Sequence, residues 1–103
     1  MAYKLEITER AEQLLDQLVY YLLYRLKNEQ AAGHLLDEIS KVYDRLEENS
    51  YQFTESRDVY LKSKQYREAV TTDMNYAVIF KIEDDAVYVL GVFHGFENYR
   101  VKM

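Results

Sequence analysis

His34 and His94 are the two side chains of this sequence that ordinarily change charge near neutral pH, so any proton transfer at physiological pH points first to them. His94 closes the apolar run that begins at Ala86, at a strand end where an imidazole can accept or donate a proton, or simply serve as a hydrogen-bonded structural group. Arg67 opens another β-type run, and its guanidinium has the fork geometry to hold a phosphate by two parallel hydrogen bonds; its plainer role is an ion pair with Glu68 or Glu97. Lys62 and Lys64 just upstream could add phosphate contacts, or could be solvated loop charges. His34 falls on the polar side of a helix with no partner at metal-ligand spacing. The sequence has no cysteine, no phosphate-binding glycine loop and no Gly-x-Ser-x-Gly elbow, so thiol, thiolate-metal and serine-elbow chemistry are excluded and no cofactor is expected.

The elements that must hold these groups are read from periodicity. Tyr3, Leu5 and Ile7 alternate with Lys4 and Glu6, which predicts a half-buried strand. Thr8 then suits a helix N-cap, with Glu9 placed favourably beside the positive helix end. Ala11, Leu14, Leu15, Leu18, Val19, Leu22, Leu23 and Leu26 recur at steps of three and four, giving one apolar stripe opposite Glu9, Asp16 and Arg25. Asn28 caps a second helix with the apolar set Ala32, Leu35, Leu36, Ile39, Val42, Tyr43 and Leu46. So short a connection predicts an antiparallel helical hairpin. The stretch from Tyr51 to Asp58 has no clear period and reads as a loop. Strands follow at Tyr66–Thr71, Asn75–Ile82 and Ala86–Phe93, turning at Thr72-Asp73-Met74 and at Glu83-Asp84-Asp85. The expected fold is α+β in the order β-α-α-β-β-β: a helical hairpin on a curved, mainly antiparallel four-stranded sheet, with the first strand at an edge, forming a single domain over residues 1–103.

Composition narrows the function classes. Apolar residues make up 49% of the chain, including eleven tyrosines and four phenylalanines, enough for one core. The formal charge of −5 argues against sequence-independent phosphate binding, so any nucleic-acid role needs a local basic patch. The start lacks the pattern of a signal peptide, and Leu14–Leu26 is broken by Asp16, Gln17 and Arg25, so no membrane span and a cytoplasmic location are expected.

The segments Tyr66-Arg67-Glu68-Ala69-Val70, Asn75-Tyr76-Ala77-Val78-Ile79-Phe80 and Val87 through Gly95, in this order after Tyr3-Lys4-Leu5-Glu6-Ile7-Thr8, resemble the RelE/ParE toxin superfamily over almost the whole chain. The resemblance implies a growth-inhibiting toxin of a type II toxin–antitoxin system, of the plasmid-stabilisation kind, silenced by a cognate antitoxin that lays a partly disordered segment on the toxin surface. Tyr20, Tyr21 and Tyr24 on the first helix are candidates for that antitoxin surface; alternatively they rim the core.

Members similar to RelE are messenger-RNA interferases that work on the ribosome without a metal, the ribose 2′-hydroxyl attacking the adjacent phosphate, a step that needs a proton acceptor, a donor and cations. On this resemblance Arg67, His94 and Tyr99 are the expected catalytic residues, and Lys62, Lys64 and Arg100 the expected substrate-binding ones. The family often carries arginine where Ala77 or Gly91 stands and a basic pair where Phe96-Glu97-Asn98 stands, so positive charge is missing here. Members similar to ParE instead inhibit DNA gyrase by protein binding, which suits a long hairpin from Thr8 to Glu48, and a non-toxic repurposed member is a third reading. Transcript cleavage is the first expectation, because Arg67, His94 and Tyr99 could converge at one end of the sheet.

Overall fold

A computed structural model of the chain describes residues 3–49, 62–71 and 76–94. Its elements are β1 (Lys4–Ile7), α1 (Glu9–Tyr20) continued by a π-helical turn (Tyr21–Arg25), α2 (Glu29–Asn49), β2 (Arg67–Val70), β3 (Tyr76–Glu83) and β4 (Ala86–His94). The strands form one mixed sheet in the order β1-β4-β3-β2, with β1 parallel to β4 and the other neighbours antiparallel. The expected element order and the edge position of the first strand are therefore found. The expected loop at Tyr51–Asp58 and the turn at Thr72-Asp73-Met74 lie outside the described residues.

Capping side chains make the junctions. The Thr8 hydroxyl oxygen accepts from the Ala11 amide at 3.2 Å, and the same hydroxyl donates to the Val89 carbonyl at 2.7 Å. Thr8 thus starts α1 and ties it to β4, just where β1 stops pairing at Ile7 with Val89. Asn28 caps α2 through its Oδ1, which accepts from the Ala31 amide at 3.0 Å. Between the helices Lys27 takes φ 51°, a left-handed step that reverses the chain. The β3–β4 hairpin turns at Asp84, with φ 54°, and the Asp85 carbonyl accepts from the Lys4 amide at 2.9 Å, fixing the start of β1.

The helices bury one face each in a core shared with the sheet: Ala11, Leu22, Ala32, Leu35, Ile39, Val42 and Leu46 meet Val78, Phe80, Val87, Val89 and Val92. A second, smaller cluster joins Leu14 to Ala77, Ile79 and Phe93, with Tyr66 packed against it. Two members of the predicted stripes do not take part. Leu26 is 54% exposed and Leu36 46% exposed. The amide of Leu26 bonds to the carbonyl of Tyr21, five residues back, so the last turn is wider than an α-turn; the left-handed step at Lys27 follows at once, and Leu26 ends as a cap outside the stripe. Leu36 follows the buried Leu35 by one residue, about 100° round the helix and off its inner face. Among the described residues, no helix is long and apolar enough to cross a membrane.

Burial, with the Glu12 carboxylate nearby, pushes the Tyr43 phenol up to about 12 from its ordinary 10.0. The neutral phenol is the form the fold favours, so this contribution is fully present below about pH 10 and is lost as pH rises through about 12. Urea unfolding of the wild type should therefore weaken across that alkaline window by more than that of Tyr43→Phe. Parallel declines for the two proteins would contradict the assignment.

Candidate functional site

The residues with candidate chemistry sit on the sheet. Arg67 begins β2, an edge strand, opposite Phe80; His94 ends β4 opposite Tyr76. Both are partly buried and both make interactions. The imidazole of His94 stands edge-on to the Tyr76 ring, with centroids 5.5 Å apart and planes at 85°. Tyr76 is itself anchored, because its amide donates to the Thr71 hydroxyl oxygen at 3.0 Å while its carbonyl accepts from the Thr71 amide at 2.8 Å. His94 is thus packed against a fixed aromatic partner.

The register keeps Arg67 and His94 apart. Four residues along β3 at about 3.3 Å each, and two inter-strand steps of about 4.8 Å, separate their backbones by on the order of 16 Å. Tyr76 and Phe80 share a face of β3, so both side chains rise from the same face of the sheet, and the guanidinium and the imidazole meet a common centre only if both lean toward each other across that gap. Lys62 and Lys64 are exposed on a helical turn before β2, closed by the Gln65 amide donating to the Lys62 carbonyl at 2.9 Å. Tyr99 and Arg100 lie outside the described residues. Ala77 is fully buried, and Gly91 is buried where an added Cβ would come 2.5 Å from the Phe93 ring. No cation could replace either residue without displacing the second cluster.

A different surface stands open on the outer side of the first helix. Asp16, Gln17, Tyr20, Tyr21 and Arg25 line a groove of about 520 Å³. Tyr20, Tyr21 and Tyr24 are 60%, 51% and 64% exposed and belong to neither core cluster. The Tyr20 and Tyr24 rings lie 4.7 Å apart, forming a short aromatic ridge. The sequence singled out the tyrosines but missed the polar groove residues around them, whose one signal was an Asp–Arg pair flanking tyrosines on a helix face that ought to be solvated.

Residues 5–99 match the family model described as the ParE toxin of the type II toxin–antitoxin system parDE. The chain belongs to the ParE toxin family. Its fold is similar to a solved structure described as the chromosomal ParDE TA system from P. aeruginosa, with a TM-score of 0.73 at 15% identity, covering 90% of this chain and 96% of that one. No curated protein matches the sequence. This ParE-family toxin is thus a type II toxin–antitoxin component with an antitoxin for its partner.

Proposed function

We propose that this ParE-family toxin poisons growth by binding a protein, DNA gyrase, in the cytoplasm, and that its cognate antitoxin docks over Tyr20, Tyr21 and Tyr24. The observation that carries the reading is the strand register, which separates Arg67 from His94 by on the order of 16 Å. Acid–base cleavage of RNA needs its proton acceptor and its phosphate clamp within hydrogen-bond reach of one reacting centre. Membership of the ParE family and the apolar filling at Ala77 and Gly91 support the same reading.

Transcript cleavage on the ribosome would instead assign catalysis to Arg67, His94 and Tyr99, with Lys62, Lys64 and Arg100 holding RNA. The two mechanisms separate in one experiment. Induction of the chain alone should arrest growth, with supercoiling defects and DNA breaks, and purified protein should inhibit gyrase supercoiling. His94→Ala and Arg67→Ala should arrest growth as the wild type does. Ribosome-dependent transcript cleavage that either substitution abolishes would overturn the gyrase reading.

A further inference from the structure

We propose that the outer face of the first helix pairs with itself, antiparallel, in a second copy of this chain. The five groove residues, together with the exposed Tyr24 beside them, follow a symmetric order. Asp16 and Gln17, Tyr20 and Tyr21, and Tyr24 and Arg25 are three adjacent pairs at four-residue steps, centred between Tyr20 and Tyr21. One end carries a carboxylate, the other a guanidinium, and the middle is aromatic. Neither charge forms an ion pair with another of the described residues.

A two-fold axis through the centre of such a face reverses the helix direction, so the Asp16 end of one copy lies over the Tyr24–Arg25 end of the other, twice per dimer. The tyrosines of the two copies then meet at the axis. Tyr20 and Tyr24, with rings 4.7 Å apart, make the four-residue ridge that packs between the rows of a facing helix.

The π-helical turn completes the surface. At about 100° per residue, positions nine apart such as Asp16 and Arg25 fall on opposite sides of a regular α-helix. The five-residue bond from the Leu26 amide to the Tyr21 carbonyl slows that rotation, and both residues line the same groove. Three tyrosines, each more than half exposed, offer on the order of 100 Å² apiece, so the face falls short of the roughly 800 Å² per partner of a standard interface. The pairing is therefore weak and concentration-dependent, and the antitoxin competes with it for the same residues. The self-pairing rests on the face alone and stands whatever the toxin's target; only the competition rests on the proposed antitoxin site.

Sedimentation velocity of the full chain, from low micromolar to several hundred micromolar, should show a reversible monomer–dimer equilibrium. Asp16→Arg and Arg25→Asp should each weaken it by about tenfold, since two opposite-charge contacts become two like-charge ones, and the double reversal should restore it. Tyr20→Ser with Tyr24→Ser should abolish it, with the circular dichroism unchanged because all four positions are exposed. A chain that stays monomeric throughout, including one that still binds antitoxin through the tyrosines, overturns the proposal. So does a dimer that survives the tyrosine substitutions, or a double reversal that stays as weak as the singles.

Discussion

Replacing Tyr20 and Tyr24 together with alanine should weaken binding of the cognate antitoxin by about a thousandfold, because two aromatic anchors at the centre of an interface each account for about 2 kcal/mol or more. The two rings are 60% and 64% exposed and touch each other, so they contribute little to the core and much to any partner laid over them. Fold stability should stay near the wild-type value, since surface changes of this kind usually fall within about 0.5 kcal/mol. Leu36→Ala is the control: an exposed apolar residue on α2 that does not line the groove. Titration calorimetry at low micromolar toxin, below the range of self-association, reads the effect. Rescue of growth by co-expressed antitoxin should fail for the double variant if that variant remains toxic. An affinity within threefold of wild type would remove the tyrosines from the antitoxin interface.

Local chemistry was the legible part of this fold. Thr8 and Asn28 could be recognised as caps because a short polar side chain before an apolar period has few other uses, and both accept the expected amides. Strand boundaries around Glu83-Asp84-Asp85 were readable for a similar reason, since three acidic residues between two runs of Val, Ile, Tyr and Phe mark a turn. What could not be read depends on how elements meet. The irregularity in the β3–β4 register between Ile79 and Phe80 and the wide turn at Tyr21–Arg25 leave no compositional mark. That turn decides which way Tyr21, Tyr24, Arg25 and Leu26 face, so periodicity alone misplaced Leu26 and left the tyrosines ambiguous. Distance between Arg67 and His94 was equally hidden, because it follows from which residues of β3 they oppose, a register that only the assembled sheet specifies.

Gly91→Arg should destabilise the toxin by about 4 kcal/mol or more, a large fraction of the roughly 5–15 kcal/mol that holds a domain of this size together. The reason is space and charge, not backbone freedom, since Gly91 has no positive φ. Its added Cβ would come 2.5 Å from Phe93 Cε2, 2.7 Å from Phe93 Cζ and 3.1 Å from Leu14 Cδ1. Phe93 is fully buried, so its ring has nowhere to retreat, and overpacking of this kind costs about 1–3 kcal/mol. The guanidinium adds the larger share, because it would enter a cluster of Leu14, Ala77, Ile79 and Phe93 whose in-row carboxylate, the buried Glu68 opposite Ile79, lies two strands from Gly91 and already makes an interaction of its own, and an uncompensated buried charge costs about 3–5 kcal/mol. Val70→Arg, at a 44% exposed position of β2, should cost less than about 1 kcal/mol by the same urea-melt comparison. Equal midpoints for the two arginine variants would show that the second cluster can open and take a cation. A collapse confined to Gly91→Arg would mean that one of the positions where the superfamily resemblance places arginine is closed to positive charge here by packing, a result that would add support to the proposed protein target.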